Sequence, residues 1–277
     1  MRGKTCVVTG ATSGIGEQTA YALASLGADL ILVCRNRDKG RRVTERIRLA
    51  TGEDRARLIV GDLADLAQVR MIAAAVRALD CPVHVLVNNA GVFNLSRRLT
   101  VDGHEEMFAV NHLAHFLLTT ELLDLLQEAG GARVVTLGSG AHMLVKSINF
   151  SDVTFEDGFS ALKVYSHSKL ANCLFGHTLA YRLQGTGVTS NVVDPGEVST
   201  NLGTQNGWIG WGLKHVLSLT LQNPVKGART SIYACASHDL DGVSGVYLRN
   251  SKITNPRAWA VDDVMGKKLW EHSEELI

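Results

Sequence analysis

Tyr165 and Lys169 are the residues whose types and spacing most directly suggest chemistry. They stand four positions apart in a stretch of helical composition, so one helix face is expected to carry both side chains. A tyrosine has an unperturbed pKa of about 10, which makes it a poor base at neutral pH. A neighbouring ammonium group favours the phenolate and lowers that pKa. The pair predicts a general acid and base that exchanges a proton with a carbonyl or alcohol oxygen, the alternative being two surface residues of a helix.

Ser139 and Asn111 are polar residues that suit a site of the same kind. Ser139 follows an apolar run, and its hydroxyl is suited to hydrogen-bond a substrate oxygen on which charge develops. The alternative is a serine that caps a turn at the end of a strand. Asn111 stands in the middle of an apolar helical stretch, where its amide needs a partner. A core asparagine with satisfied hydrogen bonds is the alternative for that residue.

A glycine-rich turn near the N-terminus predicts a phosphate-binding site. The apolar residues 6–8 are followed by Gly10, Gly14 and Gly16, and then by the helical stretch 17–26. In a strand, turn and helix of this kind the first N–H groups of the helix point at an anion. The spacing is Gly-x-x-x-Gly-x-Gly rather than Gly-x-Gly-x-x-Gly, and a turn without a ligand is the alternative.

Apolar runs of strand length alternate along the chain with stretches of helical composition. The runs lie at residues 6–8, 30–34, 58–60, 83–87, 133–137, 188–193 and 245–248. The helical stretches lie at residues 17–26, 38–50, 66–79, 102–127, 162–183, 225–235 and 262–275. This alternation predicts an α/β fold, a single Rossmann-type doubly wound parallel sheet of about seven strands with helices on both faces. Because every motif above follows a predicted strand or lies on a neighbouring helix, we expect all of them at the ligand-binding edge of the sheet.

Composition and charge restrict the partners and the compartment. The 277 residues are 45% hydrophobic and 20% charged with a formal net charge of +1, so nucleic acid is not expected as a partner. The five cysteines are scattered and odd in number, which predicts reduced thiols in a cytoplasmic protein. No apolar run reaches the roughly 18 residues of a membrane span, and no apolar signal segment opens the sequence.

The ordered set of motifs resembles the short-chain dehydrogenase/reductase family over essentially the whole chain. The motifs are Thr9-Gly10-x-x-x-Gly14-x-Gly16, Asn88-Asn89-Ala90-Gly91, Ser139 and Tyr165-x-x-x-Lys169. The stretches 110–119 and 168–175, together with Cys34-Arg35-Asn36 and Ala141-His142, look like its retinol-dehydrogenase-like branch. The resemblance implies one NADP(H)-binding domain over residues 1–277, with Tyr165, Lys169, Ser139 and Asn111 as the catalytic residues.

What the resemblance implies about the reaction is specific. An NADP(H)-dependent oxidoreductase would move a hydride between nicotinamide and a lipophilic aldehyde or ketone, retinoids included, in the direction of reduction. Lys169 would also bind the nicotinamide ribose, and Asn111 would bend its helix and hold a water of a proton relay. The alternative is a catalytically silent NADP(H)-binding sensor or scaffold. Family members commonly form homodimers or homotetramers through the helices that contain Asn111 and Tyr165, and Gly176 and Ala180 would allow such close packing.

The end of the second strand indicates which nicotinamide cofactor is used. An acidic residue there would favour NAD, whereas an arginine accommodates the additional phosphate of NADP. Cys34 occupies the acidic position and Arg35 follows it, so NADP(H) is predicted. The cofactor contacts expected from the turn and from the resemblance are Gly10, Thr12, Ser13, Gly14, Ile15, Gly16, Arg35, Asn36, Asp62, Leu63, Asn89, Ala90, Gly91, Tyr165, Lys169, Pro195, Gly196, Val198 and Thr200.

Residues 197–222 form a long connection and are interpreted as a substrate lid. Trp208, Ile209, Trp211 and Leu213 lie there among several glycines, which suits a mobile cover over a lipophilic substrate. An interface, or a patch in peripheral contact with a membrane, is the alternative.

Two other arrangements are set aside. His112 and His115 stand three apart on a helix, but no further ligands lie at suitable spacing, so a metal site is not expected. Ser139 and His142 do not indicate a hydrolase, because the Gly-x-Ser-x-Gly elbow is missing and Tyr165 with Lys169 explains the serine better.

Overall fold

The computed structural model describes residues 1–196 and 224–277. Eight strands form one sheet in the order β3-β2-β1-β4-β5-β6-β7-β8. The strands are β1 (Thr5–Thr9), β2 (Asp29–Cys34), β3 (Ala56–Val60), β4 (Val85–Asn88), β5 (Arg133–Leu137), β6 (Thr189–Asp194), β7 (Tyr247–Arg249) and β8 (Lys252–Thr254). β1 to β7 are parallel and β8 is antiparallel to β7, so the predicted doubly wound parallel sheet is confirmed.

The one strand that the sequence did not predict is β8. Its three residues are exposed and read Lys-Ile-Thr, too short and too polar for an apolar run. A tight turn with positive φ at Asn250 and Ser251 folds it back onto β7. Asparagine tolerates this left-handed conformation better than most residues, which places the hairpin at this point of the chain.

The helices lie on both faces of the sheet, as predicted. They are α1 (Gly14–Ser25), α2 (Arg37–Thr51), α3 (Leu66–Arg77), α4 (Glu106–Phe108), α5 (Ala114–Glu121), α6 (Leu123–Glu128), α7 (Ala161–Arg182), α8 (Pro224–Ala236) and α9 (Asp263–Leu276). Side-chain caps set several of the starts: Asn36 accepts a hydrogen bond from the Lys39 amide, and Asp65 accepts one from the Gln68 amide.

Two hydrophobic cores separate these helices from the sheet. One core contains residues of α1, α2 and α8, including Leu23, Ile47 and Ala228. The other contains residues of α3, α5, α7 and α9, including Phe116. Because both faces of the central strands are covered, those strands read as continuous apolar runs rather than as alternating patterns.

The predicted helix 102–127 is not a single regular helix. It begins at Glu106, and the stretch Ala109–Leu113 is a π-helical turn between α4 and α5. A π-helical turn is rare and often marks a functional position in a helix. Asn111 lies in this turn, so the irregularity coincides with a residue that was singled out from sequence.

The last helix, α9, packs against α7 and α5. Trp270 contacts Phe116 and Phe175 with ring centroids 4.8 and 6.0 Å apart. Gly266 lies so close to Thr178 that a side chain at position 266 would collide with it. The C-terminal helix therefore covers the part of α7 around Phe175 and Thr178.

Gly176 has a different role from the one expected. A Cβ at this position would collide with Val192, so the glycine allows α7 to lie close to β6. Ala180 is 8% exposed and belongs to the same inner side, where it approaches Gly245. Neither residue presents a surface to another subunit.

Within the described ranges, no helix combines the length and the apolar character needed to cross a membrane.

Candidate active site

The glycine-rich turn lies between β1 and α1 at the carboxyl edge of the sheet. Gly10 and Gly14 have φ values of 66° and 59°, which favour glycine. A Cβ at Gly10 would lie 2.9 Å from the Ala90 Cα, so only glycine lets this turn approach the residues that follow β4. A Cβ at Gly16 would collide with the side chain of Asn89. The turn and the segment after β4 therefore form one wall.

Thr9 and Asn89 hold that wall together. The Thr9 hydroxyl accepts hydrogen bonds from the backbone amides of Asn89 (2.9 Å) and Ala90 (3.0 Å). The Asn89 side-chain amide donates in return to the Thr9 carbonyl at 2.7 Å. These contacts join residues some 80 positions apart, which explains why two distant motifs occur in the same sequence.

Most of the predicted cofactor contacts come together in a single cleft. Its lining includes Gly10, Thr12, Ser13, Gly14, Ile15, Gly16, Arg35, Asn36, Asp62, Leu63, Asn89, Ala90, Gly91, Tyr165, Lys169 and Pro195. Gly196 is half-buried immediately after Pro195, and its amide donates a hydrogen bond to Asp194 Oδ1. Val198, Thr200 and the predicted lid at 197–222 lie outside the described residues.

Positive side chains line one end of the cleft, beyond β2. Arg35 is 63% exposed, and its guanidinium lies 3.7 Å from the Asp62 carboxylate. Lys39, which the sequence analysis did not single out, lines the same end. Its position in the first turn of α2, four residues after Arg35, was the signal that could have identified it. The Cys34 thiol donates to the Asn36 carbonyl at 3.3 Å and adds no negative charge.

Tyr165 and Lys169 lie at the other end of the cleft on α7. The Lys169 ammonium is 4% exposed, donates to the Leu137 carbonyl at 3.0 Å, and lies 5.7 Å from the Tyr165 ring centroid. The expected sharing of one helix face is confirmed by this geometry. Leu137 is the last residue of β5, so the strand end itself orients the lysine.

Burial governs the protonation of both side chains. It raises the pKa of Tyr165 to about 12, against a hydrogen bond with Ser139 that lowers it. It lowers the pKa of Lys169 to about 8, against the charges of Cys173 and Asp194 that raise it. Desolvation of the phenolate is thus the largest cause of the raised tyrosine pKa, in the direction opposite to the lowering that was expected from the ammonium.

Ser139 has two structural partners. Its hydroxyl accepts a hydrogen bond from the Ala141 amide at 3.2 Å and caps the 3-10 turn Gly140–Leu144. Its interaction with the Tyr165 side chain acts to lower the pKa of that phenol. Ser139 therefore caps a turn, as the structural alternative predicted, and it also lies close to the tyrosine, as the catalytic prediction requires. Ser139 thus lies beside the atom at which proton exchange is predicted.

Asn111 joins the π-helical turn to two neighbouring segments. Its Oδ1 accepts from the Val92 amide at 2.7 Å, and its Nδ2 donates to the Val92 carbonyl at 3.1 Å. The same Nδ2 donates to the Ser168 hydroxyl at 2.9 Å. Ser168 immediately precedes Lys169, so Asn111 connects the cleft wall to the helix that carries the tyrosine and the lysine.

His112 and His115 are core residues in this structure. Burial lowers the pKa of each to about 3, so both are neutral at pH 7. His112 Nε2 lies 2.9 Å from the Ser273 hydroxyl, and His115 Nε2 lies 3.1 Å from that of Thr9. In the part of the chain that the structure describes, no three or more side chains of metal-binding type are grouped to hold an ion.

Apolar side chains border the tyrosine on the side away from the glycine turn. The Phe93 ring lies edge-on to Tyr165 with centroids 5.4 Å apart, and Phe159 belongs to the same cluster. Met143 and Leu144, which closely follow Ser139, are 40% and 62% exposed. Aromatic side chains therefore pack with the Tyr165 ring.

Sequence reasoning did not single out Asp194, the buried carboxylate directly before Pro195. Asp194 is 2% exposed and its charge acts on Tyr165, Lys169 and His142. Its position at the end of a predicted strand, directly before Pro195, was the available signal.

Comparison with known proteins identifies the relatives of this chain. A family model described as short chain dehydrogenase matches residues 4–207. Polyprenol dehydrogenase of Mus musculus is 42% identical over 281 residues, which cover 99% of this chain and 84% of that protein. Retinol dehydrogenase 11 of Homo sapiens is 38% identical over 275 residues, which cover 99% of this chain and 86% of that protein.

Solved structures share the fold over nearly the whole chain. An uncharacterised protein from Mycobacterium paratuberculosis has a TM-score of 0.79 at 31% identity and covers 99% of this chain and 93% of its own. An NAD(P)-dependent gluconate 5-dehydrogenase from Beutenbergia cavernae, with bound NADP, has a TM-score of 0.71 at 27% identity. That match covers 90% of this chain and 96% of the other.

Proposed function

The chain belongs to the short-chain dehydrogenase family, in its retinol-dehydrogenase-like branch, and from this premise we propose an NADP(H)-dependent oxidoreductase of lipophilic alcohols and carbonyls. The observation that carries the proposal is the arrangement of the cleft. Positive side chains, Arg35 and Lys39, line one end, and a proton-exchanging pair, Tyr165 and Lys169, lines the other.

The residues of the cleft fit a nicotinamide dinucleotide phosphate. The glycine turn places the N-terminus of α1 in the cleft, where backbone amides favour the pyrophosphate. Arg35 and Lys39 suit the additional phosphate of NADP, because a guanidinium pairs with phosphate in a bidentate manner. Cys34 stands where a carboxylate would repel that phosphate. The NADP-bound structure of a family member supports this choice.

The bound nicotinamide would supply or accept the hydride, and the protein's own groups would manage the proton. Tyr165 would donate its phenolic proton to the carbonyl oxygen during reduction and take it back during oxidation. Ser139 would hydrogen-bond the same oxygen and stabilise its developing charge. Lys169 would hold the nicotinamide ribose and favour the phenolate once the proton has left.

The protonation of the pair favours carbonyl reduction at neutral pH. The pKa of Tyr165, raised to about 12, keeps the phenol protonated, which is the form that acts as an acid. Alcohol oxidation needs the deprotonated phenol, so its rate is expected to rise with pH in the alkaline range. We propose reduction as the working direction on this ground and because cells keep NADP largely reduced.

A lipophilic substrate is supported by the approach to Tyr165. Phe93 and Phe159 pack with the Tyr165 ring, and Met143 and Leu144 are exposed shortly after Ser139. Hydrocarbon surface of this kind favours apolar ligands. The names of the relatives, which include retinol and polyprenol dehydrogenases, point to the same class. We propose aldehydes or ketones with long or cyclic hydrocarbon parts, and residues 197–222 as their lid.

The domain organisation and the compartment expected from the sequence are also part of this proposal. We propose that residues 1–277 act as one domain and that the protein works in the cytoplasm. The cysteines support the second point, because Cys6, Cys34, Cys173 and Cys235 are buried and all five are free thiols.

The experiment that tests the function is a cofactor-oxidation screen. NADPH consumption would be measured with retinal, aliphatic aldehydes, quinones and steroids, and NADP reduction with the corresponding alcohols. We expect turnover of at least one lipophilic carbonyl, with a higher kcat/KM for NADPH than for NADH. A complete lack of turnover across the panel, with NADPH bound, would instead favour a silent sensor or scaffold.

Tyr165→Phe provides the matched control for that screen. The substitution removes the exchangeable proton and keeps the ring against Phe93, so we expect kcat to fall by roughly 1000-fold or more. NADPH affinity, measured by fluorescence titration, should change little. Activity close to that of the wild type would refute the proposed role of the tyrosine.

A further inference from the structure

His115 is a buried histidine whose two ring nitrogens contact different parts of the active site. It lies on α5 and has no exposed surface. Its Nε2 lies 3.1 Å from the hydroxyl of Thr9, at the end of β1, and its Nδ1 lies 3.1 Å from the carbonyl of Asn111, in the π-helical turn. The ring is neutral, so one nitrogen carries a hydrogen and the other a lone pair.

The contact with Asn111 places the hydrogen on Nδ1. A carbonyl oxygen can only accept a hydrogen bond. A lone pair on Nδ1 would face the lone pairs of that oxygen at 3.1 Å, which is repulsive. Nδ1 therefore donates to the Asn111 carbonyl, and Nε2 is left as an acceptor.

The surroundings of Thr9 lead to the same assignment independently. Its hydroxyl oxygen has two lone pairs, and the backbone amides of Asn89 and Ala90 donate to it at 2.9 and 3.0 Å. The hydroxyl therefore acts as a donor, either to His115 Nε2 at 3.1 Å or to the Val87 carbonyl at 3.2 Å. The Val87 carbonyl already accepts from the Asn89 amide at 3.0 Å. An unpaired Nε2 would be a buried acceptor without a partner, which is costly, so Thr9 donates to His115.

The connection continues from Asn111 to α7. The Asn111 side-chain amide donates to the Ser168 hydroxyl at 2.9 Å, and that hydroxyl donates to the Tyr165 carbonyl at 2.7 Å. At Asn111 the covalent bonds of the residue itself join its carbonyl to its side chain. With His115 in the Nδ1–H form, every donor points in one direction along the path Ala90, Thr9, His115, Asn111, Ser168 and Tyr165.

We propose that His115, in its Nδ1–H form, is a positioning residue that joins the glycine-rich turn to the helix of Tyr165 and Lys169. It accepts a hydrogen bond from Thr9, which holds the cleft wall, and donates one to Asn111, which bonds to α7. The tautomer is a property of the protein alone. The consequence for cofactor binding and catalysis rests on the proposed function.

A histidine that only fills space in the core would behave differently from a joining residue. Substitution of a space-filling ring would change stability, cofactor affinity and turnover together. A joining residue has two separable ends: the contact with Thr9 belongs to the phosphate-binding end of the cleft, and the contact with Asn111 belongs to the proton-exchanging end. Variants that keep one contact each should therefore affect different steps.

The first measurement determines the tautomer in the wild-type protein. Long-range ¹H–¹⁵N correlation spectra of protein with ¹⁵N-labelled histidine distinguish a ring nitrogen that carries hydrogen from one with a lone pair. The missing signals in His115→Gln would identify the resonances. Because the pKa of His115 is about 3, we expect a neutral ring with hydrogen on Nδ1 at neutral pH. A hydrogen on Nε2, or a charged ring, would overturn the proposal.

The second measurement compares His115→Asn with His115→Gln. The amide of asparagine lies about as far from the backbone as Nδ1, so it keeps a donor for the Asn111 carbonyl and loses Thr9. The amide of glutamine extends about as far as Nε2, so it keeps an acceptor for Thr9 and loses the Asn111 carbonyl. We expect His115→Asn to raise the Kd for NADPH, and His115→Gln to lower kcat for carbonyl reduction. Each effect should be roughly 10-fold, because each variant loses one hydrogen bond.

Ser168→Ala tests the far end of the connection with a milder change. It removes only a hydroxyl, so we expect kcat to fall while the Kd for NADPH stays the same. Ser166→Ala is the matched control, because Ser166 is also buried on α7 and its hydroxyl bonds only to the Leu162 carbonyl of the same helix. If the His115 variants do not fold, the wild-type tautomer and the two serine variants decide.

The outcomes separate this inference from the proposed function. Equal changes of Kd and kcat in His115→Asn and His115→Gln, or a loss of kcat in Ser166→Ala as large as in Ser168→Ala, would overturn the role of His115. The Nδ1–H tautomer together with weakened NADPH binding in His115→Asn alone, in a protein that turns over no substrate, would uphold the connection and contradict the oxidoreductase proposal only.

Discussion

Arg35 and Lys39 are the two side chains on which the proposed preference for NADP(H) depends. Arg35 is exposed and contacts only Asp62 among the ion pairs of the described chain, so its guanidinium can turn towards a phosphate. Lys39 lies one helical turn later and lines the same part of the cleft. A neutral Cys34 between the sheet and these side chains removes the repulsion that an acidic residue would cause.

A charge reversal at Arg35 tests this specificity. We expect Arg35→Asp to lower the ratio of kcat/KM for NADPH to that for NADH by roughly 100-fold, because a charge-assisted hydrogen bond becomes a repulsion. The measurement is steady-state kinetics with both cofactors and one carbonyl substrate.

Arg41→Asp is the matched control for Arg35→Asp. Arg41 belongs to the same basic cluster and is exposed on α2, but it does not line the cleft. An equal loss of NADPH preference in both variants would show that net charge, rather than contact at Arg35, determines the preference.

At the scale of secondary structure, the π-helical turn Ala109–Leu113 connects the cleft wall to α7. Its Asn111 bonds both backbone groups of Val92 and the hydroxyl of Ser168. Regular helix would rotate this side chain and separate it from at least one partner, because a π turn adds one residue to the spacing. The π-helical turn thus holds the segment at Val92 and the helix α7 together beside Lys169.

Asn111→Ala should loosen this connection. Leaving the half-buried Val92 amide and carbonyl without their side-chain partner is expected to lower the free energy of unfolding by roughly 1–3 kcal/mol. Activity should fall more than NADPH affinity, because the loss lies beside α7 rather than at the phosphates. Urea denaturation would measure the loss of stability, and steady-state kinetics would measure the loss of activity. Asn172→Ala provides a comparison, because Asn172 is a buried side-chain amide on α7 that donates a hydrogen bond to the Leu137 carbonyl.

An unchanged stability of Asn111→Ala would contradict the role assigned to the π-helical turn. A loss of stability in Asn172→Ala alone would assign the structural importance to the end of β5 instead.

At the scale of the whole molecule, α9 covers the surface that other family members are expected to use for assembly. Trp270 inserts between Phe116 and Phe175, and the Arg182 guanidinium stacks over the Trp270 ring at 4.1 Å from its centroid. Ser273 hydrogen-bonds the buried His112. The C-terminal helix therefore occupies the part of this face around Phe116 and Phe175.

We therefore predict that the protein does not dimerise through α5 and α7. Light scattering after size exclusion should give the monomer mass of 29.9 kDa at micromolar concentration. A dimer that persists when the surface of α9 is altered would locate assembly on another face. A dimer that requires displacement of α9 would contradict the prediction.

Gly266→Leu tests how closely α9 must lie against α7. The larger side chain would collide with Thr178, and overpacking of this kind costs roughly 1–3 kcal/mol. Val264→Leu is the control, because Val264 is 80% exposed on the same helix. Thermal unfolding should show a lower Tm for Gly266→Leu only, and equal Tm values for the two variants would show that the close contact is unnecessary.

The sequence predicted much of the fold and of the cleft because those features are local. Apolar runs specify strands that are buried on both faces, and each motif follows a strand end, so the carboxyl edge collects them. Glycine at positions 10 and 14 is required by the backbone itself. The side chains of Tyr165 and Lys169 share a helix face because helical geometry dictates it.

Other features depended on contacts between distant parts of the chain. Periodicity cannot show the π-helical turn, because partners 19 and 57 residues away stabilise it through Asn111. The polar composition of residues 262–275 concealed Trp270, whose burial depends on Phe116 and Phe175. Gly176 suggested close packing, but only the sheet beneath it shows that Val192 is the neighbour.

By itself the sequence determined the order of most strands and helices, the glycine turn and the choice of Tyr165 and Lys169 as the candidate acid–base pair. Only the tertiary structure decided the protonation of that pair. Burial among β5, β6 and α7 removes water from Tyr165 and Lys169. Asp194, whose charge also acts on both side chains, lies at a strand end 25 residues after Lys169 in the chain. Desolvation and charge act through space, so no local pattern of residues could have given their balance.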